Sequence, residues 1–248
     1  MGYWPVVKKV LKDSDVVLEI LDARMPELSR NKELERKVKM YKKHLVLVFT
    51  KIDLVSGRVL DDLRKEYKNA FFVSGTKNIG ISKLRTGLLI LRKRMKIEDL
   101  KVGVVGYPNM GKSAIINALV RRARAKVSRY AGTTKGIQWI KRGNLMILDS
   151  PGVVPFYDNE VKLGLLGSKN PEKIRNPQRV VFAVIKNFMK RNKEALEKFY
   201  GIEVKGDEYD VLLAIGEKRK FLRKGGVVDE RRTEMQILRD WQRGKLRI

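Results

Sequence analysis

The chain contains the stretch Gly106-Tyr107-Pro108-Asn109-Met110-Gly111-Lys112-Ser113, which fits the phosphate-loop pattern G-x-x-x-x-G-K-[ST]. An apolar run at 102–105 precedes it and a stretch with helical spacing, 114–120, follows it, as such a loop requires. Glycines let backbone amides turn towards phosphate oxygens, and the new helix offers its positive end. We therefore predict that the amides of 109–111 and the Lys112 ammonium bind phosphates, while the Ser113 hydroxyl binds Mg²⁺.

A phosphate loop does not distinguish ATP from GTP, so the base must be read elsewhere. Thr50-Lys51-Ile52-Asp53 follows the apolar run 45–49. Its carboxylate can accept from both N1–H and the N2 amine of guanine, a donor pair that adenine lacks, so Asp53 is the predicted specificity residue. Lys51 would lay its stem over the purine, and Ser74-Gly75-Thr76 would offer amides to the guanine oxygen. Taken singly, the first segment could be a helix N-cap and the second an ordinary turn.

Two further segments are candidates for the metal and the γ-phosphate. In Asp149-Ser150-Pro151-Gly152, the carboxylate would hold Mg²⁺ through water and the Gly152 amide would meet the γ-phosphate. In Gly132-Thr133-Thr134-Lys135, Thr134 is predicted to complete the Mg²⁺ shell, with Thr133 as the alternative. The predicted magnesium ligands are therefore Ser113, Thr134 and Asp149.

Hydrophobic patterning predicts an α/β domain followed by a small all-α domain. Apolar runs alternate with charged stretches of helical spacing, which is typical of a mostly parallel sheet. Six strands are expected, at 16–21, 45–49, 70–73, 102–105, 137–141 and 145–148, the last two forming a hairpin. Spacing after Pro155 is helical throughout. We place the α/β domain at 1–158 and the helical domain at 159–248.

Composition indicates a folded protein with a polyanionic partner. The 248 residues carry 55 Lys and Arg against 28 Asp and Glu, a net charge of +27, yet 43% of them are hydrophobic. Heat adaptation would enrich both signs of charge together, whereas an excess of cations fits RNA or DNA, with an anionic membrane surface less favoured. No cysteine and one histidine exclude thiolate metal sites and Ser-His-Asp catalysis. With no apolar run long enough to span a bilayer, we expect a cytoplasmic protein without membrane attachment.

Two basic segments are the predicted RNA contacts. The first is Arg121-Arg122-Ala123-Arg124-Ala125-Lys126, just beyond the predicted helix of the phosphate loop, with a solvated helix end as the alternative. The second is Lys218-Arg219-Lys220 in the helical part, with a plain polar face as the alternative.

Together these segments resemble the G motifs of the TRAFAC-class GTPases, in an unusual order. The guanine-reading segments precede the phosphate loop, which is the order of the circularly permuted members. A Ras-like P-loop domain tolerates this because its termini lie close together and can be joined, here by 81–100. Within that group the chain is most similar to the YlqF/RbgA (YawG) ribosome-assembly family, through Asp22-Ala23-Arg24-Met25-Pro26, Ile137-Gln138-Trp139 and Ala214-Ile215-Gly216-Glu217-Lys218-Arg219.

The resemblance implies a GTP-hydrolysing switch that binds GTP or GDP with Mg²⁺ and binds ribosomal RNA of the large subunit or its precursor. Lys112 and Thr134 would carry the rate. Val153 stands where Ras-type enzymes have a glutamine, so we expect slow intrinsic hydrolysis. Asn109 matches an asparagine that coordinates potassium in some such GTPases, although it could simply shape the loop.

Two other functions remain open from the sequence. One is a GTP-gated RNA-binding module with little turnover, and the other is a GTPase acting in tRNA modification. We expect a monomer.

Overall fold

A computed structural model of the chain describes residues 3–120, 128–130, 138–149 and 158–248. The chain divides into two units. One comprises Met1–Asp53 and Gly57–Tyr157, and the other comprises Leu54–Ser56 and Asp158–Ile248. The assignment of nucleotide binding to the α/β part and of RNA binding to the helical part stays a prediction. Among the described residues, none of the helices is both long and apolar enough to cross a bilayer.

A sheet of seven described strands forms the core of the first unit, in the order β3-β2-β1-β4-β7-β6-β5. The strands are β1 (Val16–Asp22), β2 (His44–Thr50), β3 (Phe71–Phe72), β4 (Leu100–Val105), β5 (Ser128–Tyr130), β6 (Gln138–Arg142) and β7 (Leu145–Asp149). Pairing is parallel from β3 to β7 and antiparallel from β7 through β6 to β5. The mostly parallel α/β fold is thus confirmed. Beyond the six expected strands there is a short edge strand, β5.

The central position of β1 decides where the functional loops meet. It pairs with β2 on one side and β4 on the other, and all seven of its residues are buried, as expected for a parallel strand covered on both faces. Because neighbouring parallel strands end at the same edge, the loops that follow β1, β2 and β4 lie side by side. The two segments predicted to bind the base and the phosphates follow β2 and β4.

Six helices of the described residues belong to this unit: α1 (Tyr3–Asp13), α2 (Pro26–Ser29), α3 (Lys32–Met40), α4 (Gly57–Glu66), α5 (Ile81–Arg94) and α6 (Lys112–Val120). Helices α4, α5 and α6 correspond to the stretches of helical spacing at 59–67, 81–95 and 114–120 of the sequence. Helices α1 and α3 were not predicted, and they pack together over β1 and β4 through Val7, Val10, Leu11, Val17, Leu34, Val38 and Val105. Helix α3 starts where the Asn31 side chain accepts from the Leu34 amide.

A buried carboxyl fixes the start of α3 on the sheet. Glu19, in the middle of β1, accepts from the Asn31 backbone amide at 2.8 Å. Burial raises the pKa of Glu19 to about 8, so the group is protonated at neutral pH.

The second unit is built from helices, as predicted for this part of the sequence. Its described α-helices are α7 (Glu160–Leu165), α8 (Pro177–Arg191), α9 (Lys193–Tyr200), α10 (Glu208–Lys218) and α11 (Glu230–Gln242). Trp241 of α11 is fully buried, and its indole N–H donates to the Leu165 carbonyl at 2.7 Å. Its ring meets Phe188 edge to face, with 6.0 Å between centroids. Trp241 therefore holds α7, α8 and α11 together.

We expect Trp241→Phe to lower the stability of the helical unit. The smaller ring leaves a cavity and removes the hydrogen bond to Leu165, which together should cost about 3 kcal/mol of unfolding free energy. Guanidinium denaturation followed by circular dichroism measures the change. Tyr209→Phe is the matched control because it removes a hydroxyl that donates to Glu230 on the surface, and it should leave the transition nearly unchanged. Equal effects of the two substitutions would contradict the assignment.

Candidate nucleotide-binding site

The phosphate-loop segment leaves β4 and enters α6 with a backbone that few residues adopt. Gly106 and Gly111 have φ of 152° and 90°, and Asn109 lies in the left-handed region at 61°. A Cβ atom on Gly106 would lie 2.7 Å from the Ile20 carbonyl oxygen of β1, so only glycine fits. The sequence pattern therefore corresponds to a tight turn built against the neighbouring strand.

Lys112 is held over this loop. It is only 7% exposed, and its ammonium donates to the carbonyls of Gly106 at 3.0 Å and Tyr107 at 2.8 Å. A buried cation requires such partners. Ser113 is exposed in the first turn of α6, where helix amides favour an anion. The geometry fits a phosphate accompanied by a divalent cation.

Thr50 joins the predicted base-reading segment to the phosphate loop. Its hydroxyl oxygen is buried and lies 2.7 Å from the Met110 carbonyl oxygen and 3.0 Å from that of Leu21. A hydroxyl has one proton, so it donates to one carbonyl at a time. The contact to Met110 spans 60 residues of sequence. It brings the end of β2 directly against the loop that follows β4.

The second predicted base-reading segment packs on the helix of the phosphate loop. A Cβ atom on Gly75 would lie 2.8 Å from the Ala114 carbonyl carbon and 2.9 Å from the Ile115 nitrogen, so the backbones touch. Ser74 exchanges two backbone hydrogen bonds with Ile79, and its hydroxyl accepts from the Lys77 amide at 3.2 Å. This closed turn fixes Ser74, Gly75 and Thr76 beside α6.

Asp53 is partly exposed in the 3-10 turn Ile52–Leu54, directly after β2. The Ile52 amide donates to the Val73 carbonyl at 3.4 Å, which places this turn beside the segment that follows β3. The described part of the site thus brings Thr50, Asp53 and Ser74 to one edge of the sheet. A contact of Asp53 with guanine stays a prediction.

Several predicted site residues lie outside the described residues, namely Thr133, Thr134, Gly152 and Val153 near the phosphates and Arg121, Arg122, Arg124 and Lys126 among the RNA contacts. Asp149 ends β7, and its backbone is paired in register with Val104 of β4. This register puts Asp149 at the same edge as the phosphate loop.

The second predicted RNA segment, at the end of α10, is exposed, but its three basic side chains differ in their contacts. Lys218 and Lys220 are exposed at the surface. Arg219 lies over the Tyr200 ring at 5.3 Å, and its guanidinium donates to the Phe199 carbonyl at 3.1 Å. Arg219 thus has an evident structural role that its sequence position did not reveal.

Sequence reasoning gave no role to a charged cluster beside Thr50. Asp22 and Arg24 are buried and form a salt bridge, and Lys51 joins them at 2.8 Å. Burial by itself raises the pKa of the Asp22 carboxyl, but Arg24 and Lys51 lower it more, and the pKa is held below its usual range. Asp22 and Arg24 belong to the Asp22–Pro26 stretch, which in the sequence supported only the family resemblance. No pattern in that stretch indicated a contact with Lys51.

The chain resembles known GTP-binding proteins in sequence. Residues 101–215 match the family model described as 50S ribosome-binding GTPase. A GTP-binding protein of Methanocaldococcus jannaschii is 37% identical over 97% of the chain and 65% of its own length. The nuclear GTP-binding protein NUG1 of Saccharomyces cerevisiae is 31% identical over 99% of the chain and 55% of its own length. The chain thus spans between half and two thirds of these two relatives.

The fold resembles solved structures of YlqF. A GDP-bound form aligns with a TM-score of 0.64 and 25% identity over 97% of the chain and 95% of the solved chain. A GNP-bound form from T. maritima aligns with a TM-score of 0.58 and 25% identity, over 97% of the chain and 93% of the solved chain.

We expect Thr50→Val to weaken nucleotide binding while the protein stays folded. Valine has a similar shape but cannot donate to the Met110 carbonyl, so the loop loses its tie to β2. The dissociation constant for a fluorescent GDP analogue should rise about tenfold, the equivalent of one buried hydrogen bond worth ~1.4 kcal/mol. Thr86→Val, on the exposed face of α5, is the control and should bind as the wild type does. Unchanged affinity in Thr50→Val would refute the role given to this contact.

Proposed function

We propose that the chain is a circularly permuted GTPase of the YlqF type, which binds GTP and GDP with Mg²⁺ and hydrolyses GTP. The observation that carries this proposal is the approach of Thr50 to Met110, supported by the packing of Gly75 on Ala114. Both contacts join a guanine-reading segment to the phosphate loop or its helix. One nucleotide can then be held by its base and its phosphates together.

In this proposal the phosphates are held mainly by backbone amides and Lys112. Lys112 already sits over the loop, so it can exchange loop carbonyls for β- and γ-phosphate oxygens with little movement. Ser113 and Thr134 would bind Mg²⁺ directly and Asp149 through water. The Gly152 amide would contact the γ-phosphate.

The rate of hydrolysis is proposed to be slow without a partner. Val153 cannot orient water, so positioning of the reactants and charge neutralisation by Lys112 and by Mg²⁺, which Thr134 would help to bind, must lower the barrier. Asn109 is exposed at the mouth of the loop, and its left-handed backbone suits asparagine. We include potassium coordination by Asn109 in the proposal, as a means of supplying further positive charge.

We propose ribosomal RNA of the large subunit, or its precursor, as the partner. The net charge of +27 favours a polyanionic partner. Within the described residues, several basic side chains on α1, on α3 and in the turn after α3 are exposed, namely Lys8, Lys12, Lys32, Arg36, Lys39 and Lys42. These side chains would contact RNA phosphates, and the basic segments 121–126 and 218–220 are each proposed, separately, to do the same.

The names of the similar proteins favour the large subunit over tRNA. The matching family is described as ribosome-binding through the 50S particle, and the yeast relative is named a nuclear protein. A cytoplasmic location and a monomeric state stay predictions from the sequence.

Guanine selectivity can be tested by Asp53→Asn. An asparagine amide repels the guanine N2 amine but can donate to the C2 oxygen of xanthine. We expect GDP affinity to fall about a hundredfold or more, with xanthosine diphosphate now preferred, because two charge-assisted hydrogen bonds are lost. Competition titrations with GDP, XDP and ADP measure this. If the variant keeps its preference for GDP over XDP, the guanine site lies elsewhere.

The partner can be tested by sedimentation with ribosomal subunits. We expect the protein to associate with the large subunit at least about fivefold more tightly in GTP or a non-hydrolysable analogue than in GDP, a typical coupling between two sites. Lys112→Ala should abolish this difference and any phosphate release stimulated by the particles. Equal binding in all nucleotide states contradicts the switch, and nucleotide-dependent binding without stimulated release identifies a GTP-gated module. Crosslinking to tRNA alone would favour the tRNA-modification alternative.

A further inference from the structure

The charged cluster at the end of β1 is an almost complete set of hydrogen bonds around one carboxylate. One oxygen of Asp22 accepts from the backbone N–H and Nε of Arg24, both at 3.0 Å. The other accepts from Nη2 of Arg24 and Nζ of Lys51, both at 2.8 Å. The side chains of Asp22 and Arg24 are each 1% exposed, whereas that of Lys51 is 20% exposed. Only the lysine of this cluster reaches the surface.

Stability alone does not account for this arrangement. Removing three charged groups from water costs more than a comparable apolar packing would, so a buried ion cluster is weak evidence for a stabilising role. Burial lowers the pKa of the Lys51 ammonium, and Asp22 only partly opposes this effect. The ion pair with Asp22 therefore keeps the Lys51 ammonium in a mostly buried position, although the charged group would be better solvated in water.

The backbone of Lys51 is constrained as well. Its φ of 57° lies in the left-handed region, which costs a residue with a Cβ atom about 1 kcal/mol or more. The preceding residue, Thr50, is tied to the phosphate loop, and the following residue, Ile52, is buried. With both its backbone and its ammonium fixed, the methylene stem of Lys51 is held between two fixed points.

We propose that Asp22, itself fixed by Arg24, is a positioning residue for guanine nucleotide binding. It anchors the Lys51 ammonium so that the stem forms a preformed flat wall for one face of the purine. The nucleotide then binds without having to order a flexible lysine. This proposal rests on the proposed role of Thr50–Asp53 in binding the base, and it adds a residue to that site through Lys51.

A double-mutant cycle tests whether Asp22 acts through Lys51. We expect Asp22→Asn and Lys51→Met each to raise the dissociation constant for a fluorescent GDP analogue about tenfold, while the double variant is within about twofold of Lys51→Met. Asp61→Asn is the matched control because it breaks an Asp–Arg pair on the exposed face of α4, and it should change nothing. Additive losses in the double variant would overturn the proposal, since a purely structural Asp22 would act independently of Lys51.

A measurement on the unmodified protein covers the case in which Asp22→Asn does not fold. In protein labelled with ¹⁵N-lysine, the signal lost in Lys51→Met identifies the ammonium of that residue. We expect this ammonium to exchange its protons slowly with and without GDP, unlike the exposed Lys65 on α4. Exchange as fast as that of Lys65 in the GDP complex would show that the anchor is absent when nucleotide is bound, and the proposal would fall.

The failure of this proposal can be told apart from failure of the base-binding assignment. If Asp53→Asn does not change the preference among GDP, XDP and ADP, the whole segment 50–53 has been misassigned. If Asp53→Asn behaves as expected while the Asp22 and Lys51 effects are additive, only the positioning role of Asp22 is wrong.

Discussion

The hydrogen-bond distance between the Thr50 hydroxyl and the Met110 carbonyl is the constraint on which the site depends. A loop that binds phosphates is of use to a switch only if its distance from the base-reading residues is fixed. Here a short, buried contact sets that distance, and the parallel strands β2, β1 and β4 supply a rigid frame for it. The same frame places Asp149 of β7 beside β4, so base, phosphate and metal ligands can share one edge.

Circular permutation is compatible with this frame because the pairing of strands in a sheet does not depend on their order along the chain. The strand that leads into the predicted base-reading residues precedes the strand that leads into the phosphate loop, with β3 and α5 between them in sequence. The geometry of the site depends on the direction of each strand and on which strands pair with it, and permutation changes neither. The permuted order of motifs is therefore compatible with the similarity to YlqF structures over nearly the whole chain.

The sequence predicted the parts of this protein that depend on local pattern. Short apolar runs identified the buried parallel strands, and Gly106 of the phosphate loop lies in a turn that Ile20 leaves too narrow for other residues. Helix α3 was missed because its apolar residues are few among lysines and glutamates, so its amphipathic pattern is short. Edge strand β5 has three residues and no pattern of its own.

Contacts between distant residues were beyond the reach of sequence patterns. The Asp22 carboxylate and the Lys51 ammonium are 29 positions apart, and only the parallel register of β1 and β2 brings them together. Arg219 likewise belongs to a basic run, yet its guanidinium lies on Tyr200 of another helix. A charged residue in a sequence indicates that an oppositely charged or aromatic partner is possible. Only the folded structure shows whether that residue is used for a contact within the protein or stays available to bind another molecule.

The close approach of Gly75 to Ala114 has a consequence for biosynthesis. In a permuted chain the base-reading turn leaves the ribosome well before the helix on which it rests. Until that helix has been translated, the backbone at Gly75 lacks the helix on which it packs, and until β4 has been translated, β1 lacks its neighbour on that side. The nascent chain therefore exposes the unpaired edge of β1 until β4 has emerged, and an exposed strand edge can pair with other chains.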